Sequence, residues 1–246
     1  MSNEGKHSSI HDVDPVGSIL FKVAGIQAFW DDLHSKVRVP NEFQWKLAGM
    51  QGLVQTEQRT LPYREILRDV LYAYDAEPLT PSIAGPKNTI IGKNCLHSPL
   101  MALLATPLWQ HAVETGYQFI KTVENDKTVS TSRIWAYLIP IVAHDIGKLR
   151  RLRPSRYKSE QHPILGAIEL DGIIGGRLPA NIKEKLVNAV LNHHRLIRTL
   201  ERSRQQIAIA VVVCDRMARG KESQFDFDNL IASVHRNDDT CYGHPE

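Results

Sequence analysis

The segment Ala143-His144-Asp145-Ile146-Gly147-Lys148 ends an apolar stretch with an adjacent histidine and aspartate. Burying two such groups is expensive unless each is paired or binds a metal. Histidine is the commonest metal ligand, and the chain has 11 of them. Their positions matter more than their number. His111 stands in Trp109-Gln110-His111-Ala112, and His162 opens His162-Pro163-Ile164-Leu165-Gly166-Ala167. His193 and His194 close Leu191-Asn192-His193-His194, and Asp215 lies in Val213-Cys214-Asp215-Arg216. The order along the chain is His, His-Asp, His, His-His, Asp, each at or near the apolar part of a different predicted helix. As packing residues, every one would need its own buried partner. Metal sites in helical bundles are built from inward-facing residues of several helices, so one shared centre satisfies the whole set. His193 and His194 point about 100° apart on a helix, and both can face one site only where that helix ends. Mixed histidine and carboxylate donors suit Mn, Fe, Co, Ni or Zn better than Mg or Ca.

Apolar periodicity predicts the elements that carry these residues. Ile19, Leu20, Val23, Ile26, Phe29, Trp30 and Leu33 recur at helical spacing within 16–37. A second helix is expected over 63–74, with Pro62 suited to its first turn. Residues 77–99 are rich in proline and glycine, which reads as a long loop that covers something. Further helices are expected over 108–123, 132–148, 164–174, 182–193 and 207–217. The last is valine-rich and would pass for a strand on propensity alone, but no partner strand is apparent, so it reads as a buried helix. Gly147 reads as a glycine stop at a helix end. The fold class is all-α: a helical bundle with an N-terminal helical arm and a long loop. The expected organisation is an arm and loop region over 1–99 packed on the core, a core domain over 100–220, and a C-terminal extension over 221–246.

The residue order and the sequence His144-Asp145-Ile146-Gly147-Lys148 resemble the HD superfamily of metal-dependent phosphohydrolases, over roughly residues 100–220. The full ligand set looks most like the binuclear branch, which includes HD-GYP phosphodiesterases. No Gly-Tyr-Pro follows the histidine pair, a departure that sets the cyclic di-GMP substrate apart but leaves the metal site intact. The resemblance implies that His111, His144, Asp145 and Asp215 hold one divalent transition metal. Asp145 would bridge to a second, held by His162 and by His193, His194 or both. It implies a phosphohydrolase or phosphodiesterase acting on a nucleotide or other phosphate ester through a metal-activated water. Asp145 and Lys148 would be its catalytic residues, with Lys148 meeting a non-bridging phosphate oxygen or merely compensating the helix dipole. A second layout resembles the HD-type relaxase domain of conjugative elements, which binds and nicks DNA. A third reading is a non-catalytic HD signalling or scaffold domain, against which the intact ligand set argues.

Lys148, Arg150, Arg151, Arg153, Arg156 and Lys158 form a basic segment, 148–158, that leaves directly from the HD motif. It would wall the substrate cleft and attract a polyanion, either nucleotide or nucleic acid, with Arg150 and Arg151 on phosphate. Arg195, Arg198, Arg202 and Arg204 would add to the field. His97 reads as a surface histidine. The formal net charge of +3 says little by itself. Three cysteines without paired spacing argue against a disulfide framework. The polar N-terminal tail, 1–14, does not read as a signal peptide, and no stretch is apolar enough to span a bilayer. A cytoplasmic protein is expected, with no membrane partner.

Overall fold

The computed structural model describes residues 20–37, 50–82, 106–124, 126, 128–153, 159–203 and 205–238. Tail residues 1–14, His97, Arg156, Lys158, Arg204 and the interior of the long loop lie outside them. Among the described residues there are eight α-helices, with one isolated bridge between Pro81 and Pro107 as the sole β pairing. They are α1 (Ala24–Lys36), α2 (Met50–Asp75), α3 (Leu108–Val123), α4 (Thr131–Ala143), α5 (His162–Ile174), α6 (Ala180–Asn192), α7 (Ile197–Arg202) and α8 (Gln206–Asp238). The expected all-α fold is the observed one. No described helix is long and apolar enough to cross a membrane.

Helix α4 is the axis of the bundle and packs on α2, α3, α6 and α8. Its N-terminus is set by Ser130, whose hydroxyl accepts the Arg133 N–H. Trp135, Leu138, Ile139, Ile141 and Val142 are all buried. The sequence predicts one helix over 132–148, but the α-helix ends at Ala143 and a 3-10 turn, Ile146–Lys148, follows. The cause is a close approach at Gly147. A Cβ there would fall 2.1 Å from the carbonyl oxygen of His162 and 2.5 Å from the amide nitrogen of Gly166. Gly147 therefore serves backbone-to-backbone docking of the turn on α5, and the expected role as a helix stop gives way to this one.

The arm contributes to the same core. Phe29, Trp30 and Leu33 of α1 and Ile66, Leu67, Val70, Leu71 and Tyr74 of α2 are buried in one cluster with α4. Helix α1 starts at Ala24, later than periodicity suggests. The Asp75 carboxylate accepts the N–H groups of Lys22 and Val23, holding the entering chain out of the helix. Pro62 lies inside α2, where a first-turn position was expected. An interior proline costs about 3 kcal/mol, whereas each fully buried Leu or Ile stabilises by roughly 1.5–3 kcal/mol. The apolar stripe from Ile66 to Tyr74 outweighs the missing rung. Helix α5 begins at His162 with Pro163 in its first turn. Helix α8 is the expected valine-rich helix, but it continues well past Met217 and runs through residue 221.

The described start and end of the long loop meet. Ser82 N–H donates to the Thr106 carbonyl and Leu108 N–H to that of Thr80, at 3.0 and 2.7 Å. This closure sets Ser82 beside the end of α4.

Candidate metal centre

Helices α4 and α6 end in the same way. In each, a histidine just past the last turn folds back on a carbonyl three residues earlier. His144 Nδ1 lies 2.8 Å from the Ile141 oxygen and His193 Nδ1 lies 2.6 Å from the Val190 oxygen. A carbonyl only accepts, so each Nδ1 carries a proton and Nε2 is the atom left to face the site. The bond also satisfies a carbonyl that the helix end would leave unpaired. Tyr74 donates to the next one on α4, the Val142 oxygen, at 2.9 Å. Burial and the nearby Asp145 charge hold that phenol well above its ordinary pKa, so it stays a donor.

All seven expected ligand residues converge, in two groups whose donor atoms lie within 4.8 Å of one another. In the first, from α3, α4 and α8, His111 Nε2 is 3.2 Å from His144 Nε2 and 3.1 Å from Asp215 Oδ1. In the second, His162 Nε2 at the start of α5 is 3.3 Å from His193 Nε2, with His194 alongside. Asp145 stands between them. Its Oδ1 is 3.1 Å from His162 Nε2 and 3.7 Å from His193 Nε2. Its Oδ2 is 3.7 Å from His111 Nε2 and 3.5 Å from His144 Nε2. His111, His144, Asp145, His162 and His193 are buried, while His194 is exposed.

The donor set fits a metal ion. Oδ1 of Asp145 and Oδ1 of Asp215 are both buried without a hydrogen-bond partner, a costly state that a cation relieves. Imidazole nitrogens held tip to tip with their Nδ1 atoms engaged elsewhere have the same need. The electrostatics agree. Burial pushes Asp145 up, but Lys148 and His144 outweigh it and hold the carboxyl well below its usual range. Asp215 is lowered likewise, against burial, by His111 and His144. Burial opposes a charge on His144, yet Asp145 and Asp215 raise it to about 10. The cavity is one that favours positive charge. On the second side the histidines repel protons: burial lowers His193, and burial with His193 and His162 lowers His194 to about 4.

Three residues around the centre escaped the sequence reading. Glu222 is buried and its Oε1 lies 2.7 Å from His111 Nδ1, which fixes that imidazole with Nε2 toward the site. Arg219 donates to Ser82 Oγ at 3.0 Å, Glu222 Oε2 at 3.3 Å and Asp145 Oδ2 at 3.3 Å. Asp215, Arg219 and Glu222 follow the i, i+4, i+7 spacing of one helix face, so extending the last helix past Met217 would have found two of them. Ser82 had no such signal, because its role comes from loop closure.

Lys148 lies at the centre, with its ammonium 2.6 Å from Asp145 Oδ2 and 2.9 Å from the Ser82 carbonyl. Arg150 and Arg151 are engaged elsewhere. The Arg150 guanidinium reaches the Leu79 carbonyl, and that of Arg151 bridges Glu77 and Glu169. Arg153 donates to the Lys148 carbonyl. Arg150 and Arg151 thus tie the loop start to the post-motif turn, and Arg153 bonds within that turn.

No protein-family model matches the chain, and neither a curated protein nor a solved structure matches it.

Proposed function

We propose that the chain is a metal-dependent phosphoric ester hydrolase of the HD superfamily, acting on a nucleotide or another phosphate ester. The observation that carries this reading is Asp145, a buried carboxylate whose two oxygens face two separate groups of metal-ligating atoms. His111, His144 and Asp215 with Asp145 Oδ2 would hold one divalent transition metal, and Asp145 Oδ1 with His162, His193 and His194 a second. Bound there, such ions supply Lewis acidity, lowering the pKa of water toward neutrality and withdrawing charge from phosphoryl oxygens.

The chain's own residues do the rest. Glu222 and the carbonyls of Ile141 and Val190 keep three Nδ1 atoms occupied and three Nε2 atoms aimed inward. Lys148 and Arg219 converge on one oxygen of Asp145 from the Ser82 side. These two cations are the groups placed to take non-bridging phosphate oxygens, Arg219 as a fork and Lys148 as a point charge. A nucleic-acid substrate would rest on the basic segment 148–158, whose Arg150, Arg151 and Arg153 bond to the loop start, to Glu169 and to the post-motif turn. Lys148 and Arg219 instead bond at Asp145, so a small phosphate ester is the better supported choice.

Purified protein is reconstituted with Mn, assayed for bound metal, and then offered an aryl phosphomonoester and an aryl phosphodiester. Hydrolysis that requires metal and is lost with Asp145→Ala is the expected result. Full metal loading with no turnover of either ester would leave a metal-binding scaffold as the correct reading.

A further inference from the structure

At the end of the bundle away from the metal centre there is a cavity of about 530 Å³ between α2, α4, α6 and the start of α8. That size lies within the ~300–1,000 Å³ typical of small-molecule sites. It is distinct from the metal centre. No ligand residue lines it: on α4 the lining residue Tyr137 is seven residues, about 10 Å, before His144, and on α6 Ala189 is four residues, about 6 Å, before His193.

The lining has a defined chemistry. Among the described residues that line it, Arg133 and Lys185 are the charged ones, both cationic, and none is acidic. No hydrogen bond or ion pair to another described residue occupies either head group. Tyr63 and Tyr137 supply aromatic side chains, Tyr137 with one face stacked on Phe119, and Leu186 and Ile207 supply apolar ones. Asn188 and Gln206 add carboxamides, which match the paired donor and acceptor edges of a nucleobase. Gln205 sharpens the choice. Its Oε1 is buried and has no hydrogen-bond partner, while its backbone N–H is tied to the Leu200 carbonyl at 3.0 Å. A buried acceptor of this kind is met by a water or by a donor on a ligand.

We propose that this cavity binds a mononucleotide whose base carries an exocyclic amine: the base lies against the tyrosines and donates to Gln205, and the phosphate is held by Arg133 and Lys185. The occupant would grip three helices, α4, α6 and α8, that deliver ligand residues to the metal centre further along. The site therefore suits an effector rather than a substrate. It stands whether or not the metal centre hydrolyses phosphate esters.

The test is calorimetric titration of the EDTA-treated protein with AMP, CMP and GMP in turn. At least one is expected to bind with a Kd below about 1 mM. The double variant Arg133→Glu/Lys185→Glu should weaken it by about tenfold or more. Both substituted side chains are exposed, so the melting temperature should hold; if it does not, Gln205→Leu supplies the same comparison. No binding by any of the three, or binding that survives intact in both the Arg133→Glu/Lys185→Glu and the Gln205→Leu variants, overturns the proposal.

Discussion

The two halves of the metal centre share Asp145 but are built differently. His111 lies within α3 and Asp215 within α8, and with His144 they form a side where the histidines are fully buried and two Nδ1 atoms are locked. His162, His193 and His194 come from helix ends, and His194 is exposed. In the first half the carboxylates raise His144; in the second, burial lowers His193 and His194. A ligand inside a helix is held by turns on both sides, whereas one at a terminus is held by a single turn and its packing. On the proposed reading, the first half, with His111 and Asp215 inside helices and only His144 at a helix end, would be the preorganised, tighter site, and the second the exchangeable one.

The largest effect should come from the residue that the halves share. Asp145→Ala is expected to lower metal content at both sites and hydrolysis by about 10³-fold or more, read by elemental analysis and an aryl phosphate assay. Lys148→Ala should retain the metal and lose about 10–100-fold in rate. Equal loss in the two variants would break the distinction between ligand and phosphate contact.

Gly147→Ala addresses what holds the second half against the first. A methyl there meets the backbone of His162 and Gly166, so α5 must move. A destabilisation of about 2–4 kcal/mol is expected in chemical denaturation, with metal lost from the second half before the first. An unchanged midpoint would show that the docking is not needed.

Glu222→Gln and His194→Ala compare the halves directly. Outer partners of ligating histidines typically contribute about 10–100-fold in metal affinity, and Glu222→Gln should weaken the tighter of two binding phases by that order. His194→Ala should touch only the weaker phase. Reversal of the two effects would invert the ranking of the sites.

The smallest effect is expected at Glu77, which accepts the N–H groups of Arg150 and Arg151 and pairs with the Arg151 guanidinium. Burial raises its pKa, but these donors outweigh it and hold the carboxyl below its ordinary value. A depressed folded pKa contributes stability that is present above the unfolded pKa and is lost as pH falls through the folded value. Glu77→Gln should therefore cost under about 1 kcal/mol near pH 7, with the difference from the parent shrinking below about pH 4. A difference that grows on acidification would contradict the assignment.

The candidate ligand residues were legible as a set in the sequence because histidine and aspartate on apolar helical faces are costly to bury unless a partner or a metal meets them. Helix existence was legible for a related reason: the apolar stripes of α3, α4 and α6 are long and regular. What could not be read was set by contacts between distant segments. Gly147 looks like a stop in one dimension and is a docking point in three. Pro62 looks like a helix start until the burial of Ile66 to Tyr74 is known. Arg219 and Glu222 lay beyond Met217, where the apolar run gives way to charge and the predicted helix ended. Ser82 reaches Lys148 and Arg219 only because the loop closes at Thr106.

The central claim is that Asp145 joins two metal sites. Anomalous diffraction from crystals of the Mn-saturated protein tests it most directly. The account predicts two peaks about 3.5–4 Å apart, the spacing usual for paired metals, one among His111, His144 and Asp215 and one among His162, His193 and His194, with Asp145 between. A single peak at saturating metal, with His162 turned away from it, or no peak at all, would contradict it.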